Sequence, residues 1–267
     1  MTDAPYKNIL LEKTSALATI SLNRPEALNA LNRPLLCELI DVLDRLRDEK
    51  TTRALILKGV GRAFSSGADL AGGSSTGIGS AMFDAGDVLE KFYNPLMERF
   101  VALPFPVVSV VHGAAVGAGC AIALAADFVI AARSAYFLQA FIHVGLVPDA
   151  GMTWLLPRLI GRARAQAAMM LGDKISAEKA ADWGLIYEAV DEDQLAARVD
   201  ALAAKLVQGP THAYTLIRRG IHAALDQSFA QALAAERVAQ LEAGRTLDFT
   251  EGVAAFREKR RPSFIGS

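Results

Sequence analysis

Apolar and polar residues recur along the first half of the chain with the spacings of alternating strands and helices. Residues 9–12 and 16–22 (ALATISL) have the near-alternation of short strands, and residues 54–58 (ALILK) form a continuous apolar run typical of a buried strand. Between them, residues 33–49 place leucine and isoleucine at helical spacing, with charges on the other face. This order of elements predicts parallel strands joined by right-handed crossovers, an α/β fold.

The second half of the chain is mostly helical in pattern. A small-residue loop at residues 72–79 (GGSSTGIG) precedes a predicted helix over about 84–103, which Pro104 and Pro106 end. Buried strands are predicted at residues 107–111 and 127–132, and residues 153–261 are predicted to be largely helical. We therefore expect a sheet-and-helix core over residues 1–200 and a helical module over residues 201–267.

One segment has the length of a membrane span. Residues 107–126 (VVSVVHGAAVGAGCAIALAA) carry no formal charge over a length that crosses a bilayer. Gly113, Gly117 and Gly119 interrupt the segment, so we interpret it as a strand, a glycine turn and a buried helix.

Composition excludes several classes of protein. The net charge of −1 gives no basic field for nucleic acid or an anionic membrane, and two cysteines are too few for a disulfide framework. The opening residues lack the basic-then-apolar layout of a secretion signal. We expect a cytoplasmic protein that binds neither nucleic acid nor membrane.

Two turns rich in small residues follow predicted strands and are the candidate sites. They lack the third glycine of a dinucleotide loop, since Phe64 and Ile122 occupy that place, and the chain has no GxxxxGK[ST], HExxH or GxSxG motif. What remains are residues 65–68 (SSGA) and the glycine turn at 113–119. Two such turns side by side can aim two backbone amides at one oxygen, as an oxyanion hole requires. The alternative is that both are tight turns in a crowded core.

Several motifs in the same order resemble the crotonase, or enoyl-CoA hydratase/isomerase, superfamily. They are NRPEALNAL at residues 23–31, GRAFSSGADL at 61–70, HGAAVGAGCAIALAADFVIAA at 112–132, GLVPDAGMTWLLPRLIG at 145–161 and EGVAAFREKRRPSF at 251–264. The resemblance covers nearly the whole chain and is strongest to the ring-1,2-epoxyphenylacetyl-CoA isomerase subgroup, which shares TWLLPR and ISAEKAADWGLI. It implies the crotonase fold, a spiral of ββα units with a C-terminal helical trimerisation module, in a homotrimer or a dimer of trimers.

The resemblance also assigns chemistry to particular residues. It implies that the backbone N–H groups of Ala68 and Ala118 hold the thioester carbonyl of an acyl-CoA, and that Asp149 occupies the place of the working acid in family isomerases. The two glutamates of family hydratases correspond, when counted without gaps, to Ala121 and Phe141. For Asp149 the structural alternative is a turn aspartate that caps the following helix.

A single carboxylate can remove a proton from C2 of a 3-enoyl-CoA and return it at C4. We therefore expect an acyl-CoA isomerase, acting on a 3-enoyl-CoA or on ring-1,2-epoxyphenylacetyl-CoA. The alternatives are an enoyl-CoA hydratase, hydrolysis or dehalogenation of another acyl-CoA, and a non-catalytic crotonase-fold binding protein. No metal or redox cofactor is implied, because CoA enters as part of the substrate.

The resemblance further implies a set of substrate-binding residues. The AFxxK pattern of Phe256 and Lys259 matches residues that approach the CoA of a neighbouring subunit. Residues 72–79 and 82–92 are expected to line the acyl pocket. The remaining candidates for contact with acyl-CoA are Arg24, Ala63, Ser66, Ala68, Asp69, Leu70 and Phe141.

Overall fold

The computed structural model describes residues 6–14, 16–70 and 84–267. Within these ranges the strands are β1 (Ile9–Thr14), β2 (Leu17–Leu22), β3 (Ala54–Gly59), β4 (Val107–Val111), β5 (Ala114–Val116), β6 (Phe128–Ala132), β7 (Tyr136–Leu138), β8 (Ile175–Ser176) and β9 (Glu188–Val190). The helices are α1 (Arg33–Asp48), α2 (Ala85–Val88), α3 (Asn94–Ala102), α4 (Ala118–Leu124), α5 (Met152–Leu171), α6 (Ala177–Asp182), α7 (Leu195–Gln208), α8 (Thr211–Ala224), α9 (Phe229–Ala243) and α10 (Leu247–Glu258). The residues of the expected acyl-pocket loop, 72–79, lie outside the described residues.

The described strands form two sheets. The larger has the order β1-β2-β3-β4-β6-β9, in which β1 and β2 are antiparallel and each later neighbour is parallel. The smaller has the order β5-β7-β8. The prediction of parallel strands joined by helices is confirmed. The turn after β3 lies next to the turn after β5, because Ser65 pairs with Ala115.

The central strands of the larger sheet, β3, β4 and β6, are buried on both faces, as continuous apolar strands require. On one face Leu55 and Leu57 pack in a core with α1, and on the other Ala54 and Ile56 pack against α7. The period-two alternation along β3 therefore divides its side chains between two cores. Helix α7 runs across residue 200 and packs on the sheet, and the domain boundary expected there stays a prediction.

The segment at residues 107–126 folds as β4, β5 and α4, which confirms a strand and a helix. Its glycine turn contains a further short strand, β5, which pairs with β7. Among the described helices, none has the length and apolar character needed to cross a membrane. The prediction that residues 153–261 are mostly helical holds except at β8 and β9.

The predicted helix over 84–103 is divided into α2, a π-helical turn (Leu89–Tyr93) and α3. Pro95 at the start of α3 has no N–H to donate to the carbonyl four residues earlier, so the chain cannot keep regular α-helical bonding there. The π turn ends at Tyr93, which is buried.

Candidate active site

The turn that carries Ala68 is held by backbone hydrogen bonds on one side. The Leu31 N–H donates to the Gly67 carbonyl at 2.8 Å, and the Asp69 N–H donates to the Leu31 carbonyl at 3.1 Å. A trans peptide directs its C=O and N–H to opposite sides. Because Leu31 binds the carbonyl of the Gly67–Ala68 peptide, the Ala68 N–H points away from Leu31. Ala68 itself is exposed.

The second turn, which carries Ala118, is held by hydrogen bonds at both the N–H and the carbonyl of Gly117. The Gly117 N–H donates to the Leu138 carbonyl at 2.8 Å, and the Gly117 carbonyl accepts from the Ala121 N–H at 3.1 Å. Ala118 is the first residue of α4, where N–H groups have no partner within the helix. The same peptide geometry therefore directs the Ala118 N–H back out of α4.

The two turns touch. Gly67 has φ of +92°, and a Cβ added there would lie 2.8 Å from the Val116 carbonyl oxygen and 3.8 Å from the Ala118 nitrogen. Ser65 joins the turns by pairing with β5: its N–H donates to Ala114 and its carbonyl accepts from Val116, each at 3.0 Å. The structure therefore places the turn of Ala68 against the turn of Ala118, and it leaves no room for a side chain at Gly67.

Asp149 lies in the connection before α5, with a carboxylate that is largely buried. Its Oδ1 is shielded from solvent and has no hydrogen-bond partner among the described residues. Burial raises the pKa of Asp149 from 3.8 to about 6. Helix α5 begins after Gly151 without a side-chain cap, and the Met152 N–H donates to the main-chain carbonyl of Asp149 at 3.0 Å. The capping alternative for Asp149 therefore does not hold.

Tyr93 is a buried residue whose ionisation responds to the charges of both Asp149 and Asp69. Its phenol is buried, and the pKa of Tyr93 is raised first by burial, then by the charges of Asp149 and Asp69. The charges of both carboxylates therefore act on the pKa of the same phenol. Asp69 forms an ion pair with Arg24 at 2.9 Å, both side chains being largely buried, so Asp69 is held as part of the turn. Tyr93 was not predicted from the sequence, because an aromatic residue in an amphipathic helix is ordinarily part of the core.

The two positions matching the hydratase glutamates are apolar and buried. Ala121 is 0% exposed and Phe141 is 8% exposed. The tip of the Phe141 ring lies 3.9 Å from the position that a Cβ on Gly117 would take. An aromatic ring therefore packs beside the second turn, where proton transfer would need an ionisable group.

The other predicted contact residues fall into two groups. Around the first turn, Ala63 is buried, Ser66 is partly buried with its N–H donating to the Leu28 carbonyl at 2.9 Å, and Leu70 is exposed. Phe256 and Lys259 lie at the C-terminal end of α10, and Phe256 is 85% exposed. Their contact with CoA stays a prediction.

Two further polar residues near the site have structural roles. Asp127 pairs with Arg218 and accepts a hydrogen bond from the Val107 N–H, each at 2.7 Å. Cys120 is buried, which raises the pKa of its thiol to about 12 and keeps it protonated.

A cavity of about 830 Å³ adjoins the Asp149 loop. Ala150 and Gly151 border it, and its walls include Met97 from α3, Trp154 from α5 and Ile217 from α8. Neither amide of the paired turns belongs to this lining, so the cavity lies apart from the position expected for a thioester.

Comparison with known proteins agrees with this geometry. The family model described as enoyl-CoA hydratase/isomerase matches residues 12–267. A relative from Rhodobacter capsulatus, named "Probable enoyl-CoA hydratase", is 46% identical over 261 residues, covering 98% of this chain and 99% of that protein. The 1,2-epoxyphenylacetyl-CoA isomerase of Escherichia coli K12 is 44% identical over 258 residues, covering 97% and 98%. The crystal structure of an enoyl-CoA hydratase from Bacillus anthracis superposes with a TM-score of 0.89 at 33% identity, covering 98% of this chain and 100% of that one.

The fold, the paired turns and these similarities define one class of protein: the chain belongs to the enoyl-CoA hydratase/isomerase family and has the crotonase fold. The resemblance that the motifs indicated is confirmed. Relatives of nearly equal similarity carry hydratase and isomerase names, so the reaction has to be argued from the site.

Proposed function

We propose that the protein is an acyl-CoA isomerase in which Asp149 is the proton-transferring group. The observation that carries this proposal is a largely buried carboxylate with a pKa raised to about 6, one oxygen of which has no hydrogen-bond partner among the residues that the structure describes. Such a group exchanges protons near neutral pH. Asp69, the other carboxylate acting on Tyr93, is engaged by Arg24.

The reaction needs one base and one site for negative charge. The Asp149 carboxylate takes a proton from C2 of a 3-enoyl-CoA, and the electron pair moves onto the thioester oxygen as an enolate. The N–H groups of Ala68 and Ala118 donate to that oxygen and bind it more strongly as its charge grows, so they favour the transition state over the substrate. Protonated Asp149 then delivers the proton to C4, the double bond moves to C2–C3, and the carboxylate is regenerated.

The same enolate chemistry extends to an acyl group that carries a ring epoxide. The E. coli relative is named for 1,2-epoxyphenylacetyl-CoA. We propose ring-1,2-epoxyphenylacetyl-CoA as the second substrate candidate, which would place the protein in phenylacetate degradation. Its rearrangement leaves the atomic composition unchanged, so it needs no second reactant beside Asp149.

Hydration is the competing reaction, and the name of the R. capsulatus relative favours testing it. Adding water across a 2-enoyl-CoA requires a group that positions and activates the water. The matched positions hold buried Ala121 and Phe141, which have no such group. The isomerase proposal follows from this difference.

We further propose that the protein assembles as a homotrimer or a dimer of trimers in the cytoplasm. Large apolar side chains on the outer helices support burial against another copy: Ile221 is 65%, Phe229 80% and Leu247 63% exposed. In such an assembly Phe256 and Lys259 would reach the CoA bound to a neighbouring subunit.

Purified protein should be given a 3-enoyl-CoA and, separately, a 2-enoyl-CoA, with products separated by chromatography. We expect migration of the double bond from the first substrate, its loss in Asp149→Asn, and little hydration of the second. Rapid hydration of the 2-enoyl-CoA would overturn the proposal. If neither substrate reacts, ring-1,2-epoxyphenylacetyl-CoA is tested with the same variant, and its failure to react would leave hydrolysis or dehalogenation of another acyl-CoA and the non-catalytic alternative.

A further inference from the structure

A short segment before α1, residues 24–31, forms the support on which the Ala68 turn rests. At its centre Asn29 is 0% exposed and adopts φ of 55°, following Leu28 at φ of 51°. Two consecutive left-handed residues turn the chain so that Leu31 faces Gly67. Asparagine is among the few residues other than glycine that take this conformation readily.

The Asn29 side chain uses both ends of its amide. Its Oδ1 accepts from the Arg24 N–H at 2.9 Å, and its Nδ2 donates to the carbonyls of Val60 and Ala63, each at 2.9 Å. The first bond closes the segment on itself, and the other two fasten it to the loop after β3. A reversed amide would set an oxygen against two carbonyl oxygens, so this network determines the orientation.

Ser65 continues the connection into the turn. Its hydroxyl donates to the Asn29 carbonyl at 2.9 Å and accepts from the Gly67 N–H at 3.2 Å. Ser65 is 0% exposed, and a Cβ added at Gly119 would lie 2.5 Å from its Oγ. The hydroxyl is therefore enclosed between the support and the first turn of α4.

We propose that Asn29 is a positioning residue for the Ala68 amide, with Ser65 linking the two. Asn29 holds the 24–31 segment against the loop after β3, Leu31 then binds the Gly67 carbonyl, and the peptide bond directs the Ala68 N–H to the opposite side. Within the described part of the chain no hydrogen bond of Asn29 leads toward Asp149, so its effect on catalysis would pass through the oxyanion turn. The inference rests on the proposed oxyanion role of Ala68.

The test measures polarisation of a bound thioester directly. Phenylacetyl-CoA, labelled with ¹³C at the thioester carbonyl, is bound to the full-length protein and the carbonyl stretch is recorded by difference infrared spectroscopy. Wild-type protein should lower the stretching frequency. Asn29→Ala and Ser65→Ala should lose most of that shift. For the substrate that the wild-type protein isomerises, their kcat should fall on the order of 10- to 100-fold, with a much smaller change in KM.

Two matched variants separate positioning from general loss of stability. Asn8→Ala removes a side-chain amide that donates to Glu38, and Ser176→Ala removes the side-chain N-cap of α6. In the described structure neither side chain bonds to the turn of Ala68 or the turn of Ala118. Both should keep the wild-type carbonyl shift. If Asn29→Ala does not fold, Ser65→Ala decides alone.

Two failures are distinguishable. The role of Asn29 would be overturned if folded Asn29→Ala and Ser65→Ala kept the wild-type carbonyl shift, or if the two control variants lost as much of it. Neither result would contradict the oxyanion role of Ala68. Absence of any shift in the wild-type protein would refute the oxyanion role of Ala68, and the role of Asn29 with it.

Discussion

Replacing Asp149 with asparagine should abolish isomerisation and, above pH 6, make the protein more stable. Burial raises the pKa of this carboxyl from 3.8 to about 6, and Oδ1 has no hydrogen-bond partner among the described residues. A difference of about 2 pKa units corresponds to about 3 kcal/mol at roughly 1.4 kcal/mol per unit. Asparagine removes that cost but leaves an amide without full hydrogen bonding, which costs about 1 kcal/mol or more. We therefore expect a net gain of about 1–2 kcal/mol at pH 8.

The pH dependence has a definite sign. Because the folded-state pKa lies above the unfolded value, ionisation of Asp149 favours the unfolded chain. The stability associated with its neutral form is complete below about pH 4 and is lost as the pH rises to about 6. Asparagine does not ionise, so the advantage of Asp149→Asn should be constant above pH 7 and should vanish or reverse as the pH falls towards 4.

Urea unfolding of both proteins, at equal protein concentration and at several pH values between 4 and 8, measures this difference. Asp127→Asn is the matched control: it removes a carboxylate that is paired with Arg218 and should lower stability at pH 8. A less stable Asp149→Asn protein at pH 8, with the pH dependence of the wild type, would refute the assignment of a strained, unpartnered charge.

Three further outcomes follow from the site. The kcat/KM for isomerisation should rise with pH through an apparent pKa of about 6 and then level off, because Asp149 must be ionised to accept a proton; activity that is flat between pH 4.5 and 8 would contradict this. Gly67→Ala should lower stability by about 1–3 kcal/mol and abolish activity, as followed by thermal unfolding and turnover, since its Cβ would meet the Val116 carbonyl at 2.8 Å and φ is +92°. Alkylation of the folded protein at pH 8 should label exposed Cys37 and leave Cys120 unmodified until the protein unfolds, as read by mass spectrometry.

The parts of the fold that could be predicted from sequence are those whose pattern is local and long. Helix α1 shows several turns of leucine at helical spacing, and β3 is an unbroken apolar run, so both lie within about one residue of their expected bounds. The short strands β5, β7, β8 and β9 were missed. Three residues of β5 define no period, and that strand exists because it pairs with β7, some twenty residues later.

The candidate site likewise has features that can be predicted from the local sequence and features that depend on distant contacts. Glycine turns after strands can be recognised from sequence, and family resemblance singles out Asp149. The lack of a hydrogen-bond partner for Asp149 Oδ1 among the described residues depends on elements distant in sequence, as does the combined effect of the Asp149 and Asp69 charges on the pKa of Tyr93. Asn29 carries no signal in the hydrophobic pattern, because its three hydrogen bonds reach residues up to 34 positions away.

The most direct test of a single proton-transferring carboxylate is to follow one labelled proton. A 3-enoyl-CoA with deuterium at both C2 positions is converted in ordinary water, and the product is analysed by mass spectrometry and deuterium NMR. If Asp149 alone carries the proton, part of the deuterium lost from C2 should appear at C4, and Asp149→Asn should form no product. Complete loss of that deuterium to solvent together with turnover in Asp149→Asn would show that another group moves the proton, and would contradict the account.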